Sequence, residues 1–383
     1  MKIVIATSYK IENETGTAYV SNELANALSK KNDVLFLCLG DKYTFTNVSK
    51  NLKLLKIPSI DIGKLTLPII TPDVVIKVFK CLNKFSPEIV HAQNSILNSS
   101  LVQTWTLNNK VPLVVTFHHI PTQSIEHIIP KLSKTRFVKL VQEFYVNTNL
   151  KKFLKYTDGV IALNKTVEDS IRQIDKKIRL KIINNGLNLN NLLKIKINDI
   201  NSSKRVDFIF LGSYTERKNQ EYLIKVFSHL PINYHLTCFG KKKNSGEYLR
   251  KLYKLSDKLK TKNVTLEDYT NSLITVFKKS NFFVTASLKE AQSLAIIQAL
   301  AAGKPVIGIE NETTLEIIND KNGLIIPKKT SPKKFALKIV ELISKDNYEQ
   351  LSREARKTSE KFKIEKVVLK IEKFYKSITN SYS

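Results

Sequence analysis

Glu290 and Lys218 are the residues whose positions most clearly suggest chemistry. Glu290 stands in the stretch LKEAQSLAIIQALAAGKPVIG (288–308), after a strand-like run that ends at about Ala286 and before an apolar helix expected to start near Gln292. Such a helix start presents unpaired backbone N–H groups and a positive dipole end, which bind phosphate. A carboxylate beside it accepts hydrogen bonds from hydroxyl groups and therefore suits a sugar. The alternative is a surface acid that only favours the helix start.

Lys218 belongs to a second stretch of the same kind, VDFIFLGSYTERKNQEYLIKVF (206–227). The order is a strand, a turn at Gly212, the basic pair Arg217-Lys218, and a helix expected to start near Asn219. A lysine at this position can neutralise a diphosphate and so stabilise a leaving group without a metal ion. The alternative, a solvated surface lysine, describes most of the 62 Lys and Arg residues.

Histidines supply the third candidate group. His118, in TFHH, follows a predicted strand and is a candidate for the reaction centre, with His119 as its competitor. His91 ends the strand-like run EIVHA and fits a hydrogen-bonded packing residue better than a catalyst.

Short β-rich runs that are apolar throughout alternate with helical stretches and would position these residues. Continuous apolarity is typical of strands covered on both faces, so the chain is predicted to be α/β, with two doubly wound Rossmann-like domains whose strands end at a central cleft. The predicted strands are KIVIA (2–6), VLFLCL (34–39), EIVHA (88–92), LVVTF (113–117), GVIAL (159–163), VDFIFLG (206–212), YHLTCFG (234–240), FFVTA (282–286), PVIGI (305–309) and GLIIP (323–327).

The length of 383 residues also favours two domains. We predict one domain at 1–190, a second at 205–360, and a final helix at 361–383 with an apolar stripe formed by Val367, Val368, Ile371, Phe374 and Tyr375. The segment between the domains, 184–205, loses both periodicities and fills with Asn, Ser and Lys.

Composition excludes several classes of protein. Three scattered cysteines within apolar runs fit reduced core thiols and predict neither a disulfide framework nor a metal site. No leader peptide or membrane-spanning run is recognisable, so a cytoplasmic location is expected. The net charge of +28 favours anionic partners, but both halves are basic and no nucleic-acid motif occurs, so no nucleic acid is expected as a partner.

In this order, the motifs resemble the GT-B glycosyltransferases of family 4, the glycosyl transferases group 1 type. EAQSLAIIQALAAGKPVI is similar to the family's donor-site signature. Over nearly the whole chain, further pieces match in sequence: the amino-terminal MKIVIATSYKIENETGTAYVSNELANAL, PEIVHAQ, VPLVVTFHH, KIINNGLN, LGSYTERKN, ETTLEII and KNGLIIP.

The resemblance implies a retaining, metal-independent transferase that moves a hexose from a UDP- or GDP-linked sugar to a glycan or lipid-linked acceptor. No other cofactor is implied. Residues 1–190 would form the acceptor-binding domain, residues 205–360 would form the nucleotide-sugar-binding domain, and the final helix at 361–383 would pack back on the first domain. Glu290 would hold hydroxyls of the donor sugar, Lys218 would bind the diphosphate, and amides of Gln292, Ser293 and Leu294 would cap it. Catalysis would rest on positioning and charge stabilisation, with the leaving phosphate helping to accept the acceptor's proton.

Four more residues take roles from the resemblance. His118 would line the reaction centre, and Gly16 would let the amino-terminal loop approach the donor phosphate and the acceptor. Glu316 and Asn185 match further family positions.

At the donor site the chain departs from the family twice. The glutamate that grips both ribose hydroxyls is Gln298 here, a loss of ~1–2 kcal/mol of charge-assisted bonding. The arginine after the turn glycine is Ser213, which leaves the diphosphate to Lys218 and Arg217. A weakened or altered donor site therefore stays an alternative.

The acceptor side carries a basic amphipathic segment. Residues 124–160 are rich in lysine, and Phe137, Leu140, Val141, Phe144 and Tyr145 follow helical spacing. Ordinary packing against the amino-terminal sheet is one interpretation, and attachment to an anionic membrane surface, on its inner face, is the other.

Two rival functions stay open. One is another enzyme on the same fold, such as a nucleotide-sugar epimerase, because a fold does not determine a reaction. The other is a protein that binds anionic surfaces or nucleic acid through its charge.

Overall fold

A computed structural model describes the protein. The described residues are 1–12, 16–62, 65–95, 98–121, 143–197, 200, 205–243, 245–270 and 272–382.

The chain divides into two compact units. Unit 1 is Met1–Leu187 with Phe362–Ser383, and unit 2 is Asn188–Lys361. The stretch 184–205, expected to be irregular, therefore straddles the boundary, and a short helix in it belongs to unit 2.

Unit 1 contains a nine-stranded sheet of order β3-β4-β2-β1-β6-β7-β8-β9, in which β5 pairs with β4. All pairings are parallel except those of β3 and β5 with β4. The strands are β1 (Lys2–Lys10), β2 (Asp33–Gly40), β3 (Thr44–Ser49), β4 (Leu52–Ile62), β5 (Leu65–Pro68), β6 (Ile89–Ala92), β7 (Leu113–Phe117), β8 (Gly159–Ala162) and β9 (Leu180–Ile182). The helices before residue 188 are α1 (Gly16–Leu28), α2 (Pro72–Phe85), α3 (Asn98–Asn109), a π-helical turn (Val146–Leu150), α4 (Lys151–Lys155) and α5 (Lys165–Ile174).

Unit 2 contains a fully parallel six-stranded sheet of order β12-β11-β10-β13-β14-β15. Its strands are β10 (Val206–Leu211), β11 (Tyr234–Phe239), β12 (Val264–Glu267), β13 (Phe282–Thr285), β14 (Val306–Ile309) and β15 (Gly323–Ile326). Its helices are α6 (Asn190–Leu193), α7 (Gln220–Phe227), α8 (Gly246–Lys258), α9 (Leu273–Lys278), α10 (Leu294–Ala301), α11 (Glu312–Ile317), α12 (Pro332–Ser344) and α13 (Tyr348–Ser359). A 3₁₀ turn (Glu360–Phe362) then leads to the last helix, α14 (Ile364–Thr379).

All ten predicted strands are present, and each contains buried apolar residues, although β11 is buried only at Leu236 and Cys238. The prediction missed β3, β4, β5, β9 and β12. Exposure explains much of this: most of β3 and the end of β4 are exposed, and β9 has no buried residue, so their sequences lack a continuous apolar run.

Local capping determines where several helices begin. The Thr71 side chain accepts the Val74 N–H at the start of α2, and Pro72 occupies the first turn, where its missing N–H costs nothing. Asn164 caps α5 in the same way through the Val167 N–H. These caps satisfy backbone donors that would otherwise be unpaired.

Helix α14 belongs to unit 1 and packs on its sheet and on α1. Its buried residues are Ile364, Val367, Val368, Ile371, Phe374, Tyr375 and Ile378, which include the whole predicted apolar stripe. Gly186 permits this approach, since a Cβ there would lie 2.7 Å from Ile364 Cδ1 and 2.9 Å from Val367 Cβ. The two segments where the chain leaves and re-enters unit 1 are hydrogen-bonded to each other. The Leu187 N–H donates to the Phe362 carbonyl, and the Leu187 carbonyl accepts from the Ile364 N–H.

Candidate functional site

Three adjacent strands of unit 2 bring the predicted donor residues together. The sheet order places β10, β13 and β14 side by side and parallel, so their carboxyl ends share one edge. Lys218 follows β10, Glu290 follows β13, and the start of α11 follows β14. Residues 72 positions apart in sequence thus become neighbours.

The Glu290 carboxylate is held by two cations. Lys218 Nζ donates to Glu290 Oε1, and Arg217 Nη1 lies 3.1 Å from the same oxygen. The Lys218 and Glu290 side chains are only 13% and 10% exposed. Arg217 also donates to the Lys289 carbonyl at 2.9 Å, which ties the turn after β10 to the loop after β13.

Electrostatics keep this carboxylate ionised. Burial by itself would raise the pKa of Glu290, but Lys218 and Arg217 outweigh burial and lower that pKa to about 2. Burial lowers the pKa of Lys218 more than the attraction of Glu290 raises it. A phosphate group would therefore meet a desolvated cation pair, and a hydroxyl group would meet a permanently charged acceptor.

The loop that carries Glu290 is braced by α11. The Glu290 N–H donates to Glu312 Oε2 at 3.0 Å, and Thr313 Oγ1 donates to the Glu290 carbonyl at 3.3 Å. Asn311, the N-cap of α11, donates from Nδ2 to the Ser287 carbonyl at 2.8 Å. The motif ETTLEII was noted only as part of the family resemblance, and the bracing roles of Asn311, Glu312 and Thr313 were not predicted.

Gly212 lies directly against the Lys218 stem. A Cβ at Gly212 would lie 3.4 Å from Lys218 Cε and 3.1 Å from the Phe210 ring. A Cβ here would crowd the Phe210 ring and come into ordinary contact with Lys218, so Gly212 packs against both side chains. Ser213, in place of the family's arginine, is exposed, and its carbonyl accepts from Gln220 Nε2 at 2.8 Å.

The helix after Glu290 starts later than predicted. We expected it near Gln292, but α10 begins at Leu294, because Ser293 has the extended conformation of an N-cap. The Ser293 N–H donates to Thr313 Oγ1 at 3.2 Å. The expected amide set 292–294 therefore needs correction: the Ser293 amide already has a partner in α11, and the first turn of α10 begins with the Leu294 amide.

Gln298 lies one turn after Leu294, on the same side of α10, and is half-buried. The opposite side of α10 is buried in unit 2 through Ile296, Ile297 and Leu300. Gly303, at φ +72°, ends the helix in the left-handed conformation that glycine tolerates. Burial of the apolar side of α10 holds its first turn and Gln298 at the sheet edge.

In unit 1, His118 is part of a buried hydrogen-bond chain. His118 Nε2 lies 2.9 Å from Gln93 Oε1, and Gln93 Nε2 lies 3.2 Å from His91 Nε2. His91 Nε2 also lies 2.7 Å from Thr116 Oγ1, and His91 Nδ1 lies 2.6 Å from Tyr375 Oη. The expectation that His91 is a hydrogen-bonded packing residue is confirmed, whereas Gln93 and Tyr375 were missed.

Both histidines are neutral at ordinary pH. Burial, with a smaller contribution from His118, lowers the pKa of His91 to about 3. Burial, with a smaller contribution from His119, likewise lowers the pKa of His118 to about 3. A neutral imidazole has one donor nitrogen and one acceptor nitrogen, so the chain is directional.

The remaining predicted residues are spread over both units. Gly16 starts α1 at φ +62°, so that position favours glycine for its backbone conformation. Asn185 is buried beside Gln93 and Thr116 around a cavity of about 20 Å³. Glu316 is exposed on α11, and His119 is half-buried after β7.

Within the described ranges, no three His, Cys, Asp or Glu side chains are grouped so that they could hold a metal ion. The helices of that same part of the chain include none that is both long and apolar enough to cross a membrane. Of the predicted amphipathic segment, Phe137, Leu140 and Val141 lie outside the described residues, while Phe144 is 67% exposed.

Two glycosyltransferase family models match this chain, one over most of each unit. A family model described as Glycosyltransferase Family 4 matches residues 15–191, and one described as Glycosyl transferases group 1 matches residues 194–358. An uncharacterized glycosyltransferase of Methanocaldococcus jannaschii is 26% identical over 257 residues, which is 62% of this chain and 59% of that protein. The alpha-monoglucosyldiacylglycerol synthase of Streptococcus pneumoniae is 22% identical over 264 residues, 64% of this chain and 57% of that protein. The matches span about three fifths of the length of the curated relatives.

Solved structures share the fold over the whole chain. The sucrose-phosphate synthase of Thermosynechococcus elongatus has a TM-score of 0.78 at 18% identity and 100% coverage of both chains. HepE of Anabaena in complex with UDP-glucose has a TM-score of 0.72 at 16% identity, covering 98% of this chain and all of that one. The predicted GT-B fold is confirmed, and the chain belongs to the glycosyl transferases group 1, family 4 type.

Proposed function

We propose that this protein is a retaining, metal-independent glycosyltransferase that moves a hexose from a UDP- or GDP-linked sugar to a glycan or lipid-linked acceptor. The observation that carries the proposal is the buried cluster of Lys218, Arg217 and Glu290 at the carboxyl edge of the unit 2 sheet. Family membership supports glycosyl transfer, and the complex of HepE with UDP-glucose supports a nucleotide-sugar donor.

The cluster suits a diphosphate sugar for an electrostatic reason. Two cations converge on one carboxylate oxygen, so the group has an excess of positive charge that a diphosphate can neutralise. As the bond between the sugar and the phosphate breaks, negative charge grows on the leaving phosphate, and Lys218 stabilises it in surroundings from which water is largely excluded. No metal ion is required for that step.

Glu290 orients the sugar. Its carboxylate is ionised and buried, and Glu312 and Thr313 hold the Glu290 backbone, so the acceptor oxygens are preorganised. Hydroxyl groups of the donor hexose donate to it, while the leaving phosphate helps to accept the proton of the attacking acceptor hydroxyl. His118 would line the reaction centre, as the family resemblance implies.

The predicted basic segment 124–160 and the glycolipid synthase among the relatives support the proposed acceptor. Attachment to the inner face of an anionic membrane stays a prediction, as does the cytoplasmic location. Flotation with vesicles of anionic and of neutral lipids tests the attachment: we expect binding only to the anionic vesicles, and equal binding to both would contradict it.

Donor binding and turnover test the main proposal. Calorimetric titration with a panel of UDP- and GDP-hexoses should identify one donor, and Lys218→Ala should weaken the binding of that donor at least tenfold. Glu290→Ala should lower turnover at least a hundredfold. Lys225→Ala, a lysine of α7 paired with Glu221, serves as the control and should behave like the wild type. Full turnover in both site variants would overturn the residue assignment.

Product analysis separates the rival functions. A transferase releases free nucleotide only when an acceptor is added, and its product keeps the anomeric configuration of the donor. An epimerase converts the nucleotide sugar without releasing nucleotide. Activity should survive chelation by EDTA, and its loss would contradict the metal-independent mechanism.

A further inference from the structure

Tyr375 is linked to His118 by hydrogen bonds through two buried side chains, although it lies on the last helix of the chain. Tyr375 and His91 have no exposed surface, and Gln93 is 1% exposed. The Tyr375 and His91 rings also meet edge to face, with centroids 5.6 Å apart. Because these side chains are buried, each bond must pair a donor with an acceptor, and the roles of the groups are therefore coupled.

Gln93 couples the roles of the two histidines. One end of its amide is a donor and the other is an acceptor, and the two ends lie 3.2 Å from His91 Nε2 and 2.9 Å from His118 Nε2. In either orientation of the amide, one of these two nitrogens donates and the other accepts. Tyr375 Oη lies 2.6 Å from His91 Nδ1 and Thr116 Oγ1 lies 2.7 Å from His91 Nε2, and each hydroxyl can donate or accept.

The tautomer of His118 is therefore tied to the tautomer of His91. In a neutral ring one nitrogen carries the proton and the other has the lone pair. Two neighbouring strands bring the hydrogen-bonded side chains together. His91 is in β6 and Gln93 follows it, while Thr116 is in β7 and His118 follows it. Tyr375 reaches this sheet because the apolar stripe of α14 is buried on unit 1.

We propose that Tyr375 is a positioning residue which, through His91 and Gln93, holds His118 in a single tautomer. This inference rests on the proposed function, in which His118 lines the reaction centre. A single tautomer presents one defined hydrogen-bonding nitrogen, Nδ1, to the substrate. Without the Tyr375 hydroxyl, His91 Nδ1 loses its partner and the His91 tautomer is no longer fixed. The Gln93 amide can then turn round, which reverses the His118 tautomer in a fraction of the molecules.

The tautomer can be observed without any substrate. We suggest long-range proton–nitrogen NMR spectra of the full chain labelled with ¹⁵N-histidine, with the His118 signals assigned by their loss in His118→Gln. Wild type should show a single tautomer. Tyr375→Phe should convert a large fraction of His118 to the other tautomer, and should lower kcat at least tenfold while KM for the donor changes less than twofold. Tyr382→Phe is the matched control, because its hydroxyl bonds Asp158 at 2.6 Å outside the chain of contacts, and it should match the wild type.

A second variant guards against misfolding. Gln93→Met removes both amide bonds and keeps a similar volume, so it should mix the His118 tautomers by itself, and adding Tyr375→Phe should change the mixture no further. The proposal is overturned if wild-type His118 is a mixture of tautomers, or if either single variant leaves the tautomer population unchanged. If transfer activity is absent with every donor but the tautomer responds as described, then the proposed function fails and the positioning relationship stands.

Discussion

The backbone N–H of Glu290 donates a hydrogen bond of 3.0 Å to the carboxylate of Glu312. The bond joins the loop that follows β13 to the first residue of α11, the helix that follows the neighbouring strand β14. It holds the backbone of the residue whose carboxylate pairs with Lys218 and Arg217. Glu312 acts on the backbone of the loop, so its role in the site is to position Glu290.

Removing this brace should loosen Glu290 without removing its charge. Glu312→Ala is expected to lower kcat at least tenfold, because a shift of a catalytic group by about 1 Å costs on the order of a hundredfold in rate. Steady-state kinetics with the donor identified by calorimetry check this. Glu341→Ala, an exposed acid of α12 paired with Lys338, is the control. Unchanged kinetics in Glu312→Ala would show that the loop holds its shape without the bond.

Gln298→Glu should strengthen donor binding. The substitution restores the carboxylate of the family's signature, and a charge-assisted pair of bonds to the ribose hydroxyls contributes ~1–2 kcal/mol more than an amide. We expect an affinity gain of about 5- to 30-fold for the nucleotide sugar, measured by calorimetry. The free nucleotide should gain as much as the sugar-linked donor, because the contact is to the ribose. Weaker binding would mean that Gln298 faces a group other than the ribose.

Ionised Glu290 should stabilise unit 2 in a pH-dependent way. Its pKa in the folded protein, about 2, lies below the ordinary value of about 4.3, so the stabilisation is present above pH 4.3 and is lost as the pH falls towards 2. The difference in unfolding free energy between wild type and Glu290→Gln should be roughly 3 kcal/mol at pH 6 and should shrink below pH 4.3. Urea unfolding at several pH values measures it. A difference that does not change with pH would show that the ion pair with Lys218 is not formed in solution.

Acid should destabilise unit 1 well before its carboxylates are protonated. His91 and His118 have folded pKa values of about 3, below the ordinary 6.5. Their neutral forms therefore stabilise the fold fully above pH 6.5, and that stabilisation is lost as the pH falls from 6.5 towards 3. Between pH 3 and 6.5, His91→Gln should reduce the slope of unfolding free energy against pH by up to about 1.4 kcal/mol per pH unit, because one proton fewer is bound on unfolding. An unchanged slope would contradict the burial of a neutral His91.

Local sequence patterns predicted the strands, the positions of Lys218 and Glu290 relative to them, and the buried side of the last helix. Continuous apolar runs specify the ten predicted strands, because a strand buried on both faces needs no polar face. The positions of Lys218 and Glu290, each between a strand and a helix, were sufficient to place them at the carboxyl edge of a parallel sheet, where the structure brings them together. The apolar stripe of α14 predicted its buried side.

Tertiary structure alone decided which side chains share a hydrogen bond. Tyr375 and His91 are 284 positions apart, and no spacing in the sequence marks them as partners. Glu312, Thr313 and Asn311 brace the Glu290 loop only because β13 and β14 are neighbours, and that bracing moves the start of α10 to Leu294. Periodic patterns report which face of an element is buried. The pairing of polar groups depends on how elements pack, since each buried donor must find its acceptor in three dimensions.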